Sequence, residues 1–328
     1  MRSGALVAML FVGACSFHPS AESGDDTPSP DAPPVQPDAP PPVPHGPYPL
    51  VLAHGLFGFK NVGPLDYFYG ITGALQDQGR TVFTPRVDAV QSAAVRGQQL
   101  VDQIEMIKQM TGAPKVVIIG HSQGGLDARW AAAHDPGSIA AVVTVATPHR
   151  GSPVADVALG VLPGDSSAAL DVLGNLIGLD TDGSSTSFAG ALHDLSSDGA
   201  AQFNADNPNV AGMPYFSIAG RSNLAGASAC PPAAAQFMTT WDSSVDPMKA
   251  VLSPVSGILA LAALPDTPVQ DGLVTIDSAQ WGQFLGCVPA DHFDEVCQIA
   301  GQDPGLGNDY SCLDMWRGIE QFLRSQDL

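Results

Sequence analysis

Short runs of consecutive apolar residues alternate along the chain with stretches in which apolar positions recur every three or four residues. The continuous runs are typical of strands buried on both faces. They lie at 50–53, 81–83, 116–119, 141–145 and 215–218. Helical spacing appears in two stretches, at Phe68, Ile71 and Leu75 and at Leu100, Ile104, Ile107 and Met110, which end before Gly79 and Gly112. The alternation predicts an α/β fold with a mostly parallel sheet flanked by helices.

The third apolar run leads into the pentapeptide Gly120-His121-Ser122-Gln123-Gly124, which fits the pattern G-x-S-x-G. A helix that carries Leu126 and Trp130 and stops near Gly137 is predicted to follow. A strand, a sharp turn and a helix form the setting of a nucleophile elbow, in which the turn lifts a serine hydroxyl out of the sheet. The same pentapeptide arises by chance in ordinary turns of a chain with 35 glycines. The flanking elements favour the elbow, with Ser122 as the candidate nucleophile.

Composition narrows the class of protein. The chain has 328 residues, 45% of them hydrophobic, which suits one α/β domain or at most two domains. A formal net charge of −20 with only 13 Lys+Arg argues against nucleic acid as a partner, because phosphates attract basic surfaces. No apolar stretch is long enough for a bilayer-spanning helix.

The N-terminal segment has the features of an export signal. An apolar stretch from Ala5 to Ala14 follows Met1-Arg2, which suits the apolar region of a signal peptide. The sequence Val12-Gly13-Ala14-Cys15 resembles the lipobox of bacterial lipoproteins, which implies cleavage before Cys15 and lipidation of its thiol. The alternative is an ordinary secretory signal with an incidental cysteine.

A proline-rich stretch follows the signal. Residues 19–49 hold 12 of the 29 prolines, which predicts an extended and disordered tether. The expected organisation is a signal peptide at 1–14, the lipidated Cys15 with its tether at 15–47, and a folded domain at 48–328. The protein would be an outer-membrane or cell-surface lipoprotein held to the membrane by its lipid anchor only, or it would be secreted.

A lipidation test follows from Cys15. Cys15→Ser should leave the precursor unlipidated or poorly processed, because the thiol is the acceptor of the first lipid group. Labelling with an alkyne fatty acid should therefore mark the wild-type protein and not the variant. A wild-type protein that stays unlabelled and soluble would show that the signal is an ordinary secretory one.

Candidates for the partners of Ser122 come from chain order. A serine hydroxyl needs a base to accept its proton and an acid to orient that base, and in this fold the order is serine, acid, histidine. Of the eight histidines, His292 in "ADHFDEVCQ" is the one that remains after this order is applied. Asp271 in "VQDGLVTI" precedes a strand-like run and is the best candidate for the acid. Its rivals are Asp242, Asp246 and Asp266.

Two further features belong to the same site. An oxyanion hole needs backbone N–H groups, which Gln123 after the nucleophile and Leu56 after the first strand would supply. Residues 153–180 contain no Lys or Arg, and Leu170, Leu173 and Ile177 share one helical face. We interpret residues 153–195 as a mobile apolar helical lid, with plain core helices as the alternative.

Beyond Cys15, the cysteines are Cys230, Cys287, Cys297 and Cys312. Four cysteines in an exported chain suggest two disulfides, for which three pairings exist. A zinc site is the weaker alternative, because the chain has no C-x-x-C pair.

Five segments together resemble a known family. "YPLVLAHGLFGF", "GHSQGG", "VATPHRGSPVAD", "DGLVTI" and "HFDEVCQ" occur in this order from about Tyr48 to the C-terminus. They resemble the true lipases of the Pseudomonas and Burkholderia type, which are α/β-hydrolases that hydrolyse triacylglycerols and carry a lid and a structural calcium ion. The resemblance implies Ser122 as nucleophile, Asp271 as acid and His292 as base, with Leu56 and Gln123 as oxyanion donors.

The resemblance also implies a calcium site. Asp246, Asp294, Gln298 and the carbonyl of Gln302 match the ligand positions of the family. All four offer oxygen, and two carboxylates would balance the charge of Ca²⁺. The alternative is that the two aspartates are ordinary solvated acids in a very acidic chain.

The chain departs from the family at its cysteines. Asp277 stands where the family often has a cysteine, so the family disulfide is not carried over as such. A displaced bridge between Cys230 and Cys287 would leave Cys297 to pair with Cys312. Many members of the family require a dedicated folding helper, so a helper is a candidate partner. A lipoprotein tether is not typical of these freely secreted enzymes.

The sequence therefore predicts a serine carboxylic ester hydrolase, a triacylglycerol lipase that acts through an acyl-enzyme on lipid at an oil–water interface. It implies no redox or organic cofactor. An esterase for short-chain or polyester substrates is the alternative within the same class. A surface binding protein on a catalytically inactive hydrolase fold is the alternative from a different class.

Overall fold

The computed structural model describes residues 47–56, 66–162, 166–167, 169–170, 186–222, 230–247, 252, 269–298, 301 and 308–328. The chain divides into two units, 1–43 and 44–328, and every described residue belongs to the second. The predicted signal peptide, Cys15 and nearly all of the predicted tether lie outside the described residues. Within these described ranges, no helix has the length and apolarity needed to cross a membrane.

The described strands are β1 (Leu50–Ala53), β2 (Val82–Phe83), β3 (Val116–His121), β4 (Ile139–Val145), β5 (Tyr215–Gly220) and β6 (Gln283–Val288). The described helices are α1 (Ile71–Gln76), α2 (Ala93–Thr111), α3 (Gln123–His134), α4 (Pro153–Ala158), α5 (Thr186–Asp194), α6 (Ser197–Asp206), α7 (Ile276–Ala279) and α8 (Cys312–Ser325). Short 3₁₀ turns lie at Pro136–Ser138, Gln236–Trp241 and Asp294–Val296.

The strands form one parallel sheet in the order β2-β1-β3-β4-β5-β6. Successive side chains of β1 point to opposite faces of this sheet. Leu50 and Leu52 share a buried cluster with residues of α1 and α8, whereas Val51 and Ala53 share one with residues of α2 and α3. Helices cover both faces, and this explains why the strands read as continuous apolar runs. The predicted α/β architecture is confirmed.

The apolar pattern was wrong at two places. Met110 does not belong to the buried face of α2, because 69% of its surface is exposed. The run after Asp271 is not a strand: the Thr275 side chain accepts a hydrogen bond from the Ser278 amide, 3.2 Å away, and so caps the short helix α7. The strand in this part of the chain is β6, seven residues further on, which the apolar pattern did not predict.

The sheet order creates a crevice at the carboxyl ends of β1 and β3. The chain moves to one side of β1 to form β2, and then crosses to the other side to form β3 and β4. Such a reversal leaves space between the loops at the strand ends, where open α/β sheets bind ligands. His54 to Leu56 follow β1 and Ser122 follows β3, so both candidate segments lie at the sheet edge where this crevice is expected.

The predicted lid is described in part. Within 153–195, the described residues include α4, α5 and residues 166–167 and 169–170, while Leu173 and Ile177 lie outside them. Apolar side chains of this region form a buried cluster with Leu126 of α3. Leu56 and Leu273, which flank the crevice, are partly buried and pack against the same cluster. The region therefore contributes an apolar wall to the crevice.

The two predicted disulfides are present. Cys230 pairs with Cys287 and Cys297 pairs with Cys312. The four cysteines are thus committed to bridges, which removes the alternative of a cysteine zinc site.

Candidate active site

Ser122 lies at the turn between β3 and α3 in an unusual backbone conformation. Its φ is 55° and its ψ is −130°, a combination that a residue with a side chain rarely adopts. Hydrogen bonds hold it there: its amide donates to the Val145 carbonyl at 2.9 Å, and its carbonyl accepts from the Gly125 amide at 3.0 Å. This geometry is that of the predicted nucleophile elbow.

Two glycines allow the turn to be this sharp. A β-carbon on Gly124 would lie 2.2 Å from the carbonyl oxygen of Ala53, at the end of β1. A β-carbon on Gly120 would lie 2.4 Å from the carbonyl oxygen of Gly124. Both distances are far below van der Waals contact, so any side chain here would push α3 away from the strands.

His292 and Asp271 form a hydrogen-bonded pair at the same end of the sheet. The Nδ1 of His292 lies 2.8 Å from the Oδ2 of Asp271. The other carboxylate oxygen accepts from the amides of Leu273 and Val274 at 2.8 and 2.7 Å. The His292 amide donates to the Asp271 carbonyl at 2.9 Å. Of the four candidate acids, Asp271 is the partner of His292, while Asp266 lies outside the described residues.

Two contacts locate Ser122 relative to the neighbouring loops. The ring of His121, the preceding residue, lies 4.6 Å from the ring of His292 between centroids. On the other side, a β-carbon on Gly55 would lie 2.7 Å from that of Ser122. Ser122 therefore sits between the loop that carries His292 and the loop that carries Leu56. Gln123 is fully buried at the start of α3, where its side-chain amide donates to the Gln91 carbonyl at 2.8 Å.

A chain of polar side chains runs from the partly buried Tyr67 through His121 to Glu295, and the sequence did not reveal it. The Tyr67 hydroxyl lies 2.7 Å from Nδ1 of His121, and Nε2 of His121 lies 3.1 Å from Oε2 of Glu295. Glu295 is fully buried, and burial together with the nearby carboxylate of Asp271 raises its pKa well above the usual value. Burial and then the neighbouring His292 lower the pKa of His121. These two shifts favour the uncharged forms of both His121 and Glu295.

The loop after β1 is fastened by a buried ion pair. The Nε of Arg96 donates to Oδ2 of Asp127 at 2.8 Å, and its Nη2 donates to the His54 carbonyl at 2.6 Å and to the Gly55 carbonyl at 3.2 Å. Burial raises the pKa of Asp127 to about 6, against the opposing effect of Arg96. Burial, followed by the charge of Arg96, lowers the pKa of His54 to about 3. The sequence did not predict this role for Arg96, because a single arginine on an amphipathic helix has no distinguishing pattern.

Three aspartates form a cluster that could hold a metal ion. Carboxylate oxygens of Asp246, Asp291 and Asp294 lie within 4.8 Å of one another, and all three residues are buried. The structure thus brings together the predicted pair Asp246 and Asp294 and adds Asp291, which the sequence missed. The amide nitrogen of Gln298 donates to the Tyr67 carbonyl at 2.9 Å, and Gln302 lies outside the described residues.

The donor set of this cluster fits a hard divalent cation. Buried carboxylates repel each other strongly unless a positive charge balances them. The guanidinium of Arg221 donates its hydrogen bonds to the backbone carbonyls of Ser244, Trp241 and Asp242, and its positive charge interacts with Asp246 of the cluster. Oxygen ligands with several carboxylates are the preference of calcium.

Comparisons with known proteins agree with this geometry. The alpha/beta hydrolase fold family matches residues 48–219. A triacylglycerol lipase of Vibrio cholerae is 33% identical over 267 residues, which cover 77% of this chain and 81% of the relative. One from Burkholderia plantarii is 32% identical over 289 residues, covering 77% and 80%. The structure of Staphylococcus hyicus lipase superposes with a TM-score of 0.57 at 16% identity, covering 87% of this chain and 97% of that one.

These findings confirm the predicted fold and the resemblance to bacterial lipases. The similarity to the Staphylococcus hyicus structure bears on the fold alone, because the identity is low. The matches to the Vibrio and Burkholderia proteins extend over most of both chains.

The Arg96–Asp127 pair gives a stability test. Arg96→Met should lower the free energy of unfolding by about 3–5 kcal/mol, because it leaves the Asp127 carboxylate buried without its cation. The double variant Arg96→Met/Asp127→Leu should recover a large part of this loss. Urea unfolding at one pH measures both. The control is Arg317→Met, which breaks an exposed pair with Asp314 and should cost about 1 kcal/mol or less. Equal losses in the two single variants would contradict the assigned role.

Proposed function

The chain belongs to the alpha/beta hydrolase fold family and is an ester-hydrolysing enzyme, and we propose that it cleaves triacylglycerols through an acyl-enzyme formed on Ser122. The observation that carries the proposal is the strained turn at Ser122 combined with the 2.8 Å bond between His292 and Asp271 at the same sheet edge. A serine in this turn beside a histidine oriented by a carboxylate is equipped for acyl transfer.

In the first half of the reaction, Ser122 acts as the nucleophile. Its Oγ attacks the ester carbonyl carbon while Nε2 of His292 takes the hydroxyl proton. Asp271 holds Nδ1–H of His292, so that Nε2 is the nitrogen with a free electron pair, and it stabilises the imidazolium that forms. His292 then gives its proton to the leaving alkoxide of the glyceride. This step leaves the fatty acyl group on Ser122 and releases an alcohol.

In the second half, water replaces the serine. His292 removes a proton from the water, the hydroxide attacks the acyl carbon, and the proton returns to Oγ of Ser122 as the fatty acid leaves. In both halves, the amides of Gln123 and Leu56 are the proposed donors to the oxyanion. Each such donor typically contributes about 3–4 kcal/mol to the transition state. The bonds from Arg96 to the His54 and Gly55 carbonyls support this role by fixing the backbone before Leu56.

An apolar acyl chain fits the surroundings of the crevice. Side chains of α4 and α5, in the proposed lid, form one cluster against which Leu56 and Leu273 pack. Leu159 and Val161 leave 41% and 50% of their surfaces exposed at the end of α4. Exposed apolar residues of this kind suit contact with a lipid surface. This arrangement favours long-chain glycerides over the alternative of short-chain or polyester substrates.

The nucleophile gives the direct test. Ser122→Ala should lower kcat for ester hydrolysis by about a millionfold, because no other activated hydroxyl is proposed. The same variant should no longer be labelled by a serine-reactive phosphonate. The control is Ser325→Ala at the exposed end of α8, which should behave as the wild type in both assays. A folded Ser122→Ala variant with near-normal turnover would overturn the mechanism, and a wild type that the phosphonate does not label would favour the binding-protein alternative.

We further propose calcium as the ion of the aspartate cluster. Asp246, Asp291 and Asp294 would hold it, with Gln298 and Gln302 as the further ligands that the family resemblance implies. When bound, the ion supplies the positive charge that balances the buried carboxylates. Asp291 and Asp294 flank His292 in the chain, and Asp246 belongs to a distant segment. Their common ion would therefore fasten the loop that carries the base.

Chelation tests the calcium proposal. A ligand that binds only the folded state stabilises it by about 2.7 kcal/mol at a hundred times its dissociation constant, so a chelator should lower the melting temperature and the activity together. Calcium should restore both better than magnesium, which prefers a tighter octahedral shell. Asp246→Ala and Asp294→Asn should each mimic the chelator, and the double variant should add little. Asp102→Asn, on the exposed side of α2, is the control. An unresponsive wild type that contains no metal on analysis would end the proposal.

Export and the lipid anchor at Cys15 remain predictions from the sequence, as does the need for a folding helper. The labelling experiment on Cys15→Ser decides the anchor.

A further inference from the structure

A second set of metal-binding atoms lies beside the aspartate cluster. Ligand atoms of His121, His292 and Glu295 lie within 4.8 Å of one another, and all three residues are buried. We propose that these residues form an inhibitory site for zinc, or for a similar divalent cation that prefers imidazole nitrogen. The inhibitory effect rests on the proposed role of His292 as the base, whereas the binding itself does not.

The spacing of the ligand atoms fits zinc. The Nε2 of His121 lies 3.1 Å from Oε2 of Glu295, and Nδ1 of His292 lies 3.8 Å from the same oxygen. Tetrahedral zinc has bonds of about 2.0–2.1 Å to nitrogen and oxygen, which places its ligands about 3.3 Å apart. The two distances to Oε2 of Glu295 lie on either side of this spacing, and the ligand nitrogens of the two histidines lie within 4.8 Å of each other, so a small closing movement would let the three atoms share one ion.

The neighbouring contacts hold these ligands in place. The hydroxyl of Tyr67 lies 2.7 Å from Nδ1 of His121 and can accept a hydrogen bond from Nδ1–H, which leaves the electron pair of Nε2 for a metal ion. The backbone carbonyl of Glu295 accepts a hydrogen bond from the indole of Trp316 at 2.8 Å. The Oε1 of Glu295 has no hydrogen-bond partner in the part of the chain that the structure describes, although the side chain is fully buried. A carboxylate in this condition is poorly satisfied until a cation or a proton joins it.

Ligand chemistry separates this site from its neighbour. Asp294 belongs to the all-oxygen cluster and Glu295, the next residue, belongs to the set with two imidazole nitrogens. Calcium prefers oxygen ligands, whereas imidazole suits zinc. One loop would thus hold two cations of different kinds, the first supporting His292 and the second blocking it.

Zinc at this site would inactivate the base. It would take the electron pair on Nδ1 of His292 and replace the hydrogen bond to Asp271. A neutral imidazole with metal on Nδ1 carries its one proton on Nε2, so that Nε2 cannot accept the proton of Ser122. Because the crevice itself is not filled, substrate can still bind. We therefore expect zinc to lower kcat with little change in KM.

The test is zinc inhibition of the purified full-length protein in excess calcium. Each variant's rate is compared with its own rate without zinc. Glu295→Gln, which keeps the size of the side chain, and His121→Asn should each raise the zinc concentration for half-inhibition by about tenfold or more, because loss of even an outer partner of a metal site costs about 10–100-fold. The matched control is Glu105→Gln on the exposed side of α2, which makes the same chemical change far from the site and should leave the zinc response unchanged.

Direct binding gives a second readout that does not depend on turnover. Cobalt chloride added to Ser122→Ala should produce the visible absorption of tetrahedral Co²⁺ with nitrogen ligands, and the added Glu295→Gln change should remove it. The inference is overturned if both variants keep the zinc response of the wild type, or if raising the calcium concentration further weakens the inhibition, which would place zinc in the aspartate cluster. A hydrolytically active Ser122→Ala would instead refute the proposed function, and the cobalt spectrum would still decide the site.

Discussion

The close contact between the start of α3 and the ends of β1 and β3 is the constraint on which the site depends. Gly124 lies against the carbonyl of Ala53, and Gly120 lies against Gly124, with no room for a β-carbon on either. This contact forces Ser122 into its unusual backbone conformation. It also brings the amide end of α3 beside the loop after β1. The strain at one residue is therefore held by packing that spans two strands and a helix.

The loops on either side of Ser122 are fixed by different means. The loop after β1 is held by Arg96, whose guanidinium is itself neutralised by Asp127 in the interior. The loop around His292 is held by a backbone hydrogen bond to Asp271, by the disulfide at Cys297 and by the indole of Trp316. The polar groups around Ser122 are therefore held in place before a substrate binds. Such preorganisation is the condition for electrostatic stabilisation of a transition state.

Acidic groups are concentrated near the sheet edge that carries Ser122 and His292. Asp246, Asp271, Asp291, Asp294 and Glu295 are all buried within one region. Burial of Glu295, followed by the negative charges of the nearby aspartates, raises its pKa, and the same concentration of negative charge makes bound cations favourable. A cation at the proposed calcium site or at the proposed zinc site would offset the same excess of negative charge. They differ in ligand chemistry because two histidines face Glu295 and none belongs to the aspartate cluster.

The sequence by itself determined the architecture and the central residues. Continuous apolar runs specify strands that are covered on both faces, and a serine between glycines after such a strand specifies the sharp turn, because these are local consequences of burial and backbone sterics. Five of the six described strands and the serine turn followed from such patterns. The choice of Asp271 and the disulfide pairing required the resemblance to a family as well.

Only the tertiary structure decided which distant groups meet. Glu295 joins His121 across 174 positions of the chain, and Arg96 reaches carbonyls 41 and 42 residues away. No periodicity records such contacts, because they arise when the loops of separate strands converge at one sheet edge. The same reason explains why the sequence did not indicate Asp291 as a member of the aspartate cluster. The function of a polar residue depends on which residues the fold packs against it. An apolar run, by contrast, is buried whatever its position in the chain, so its structure can be predicted from the run itself.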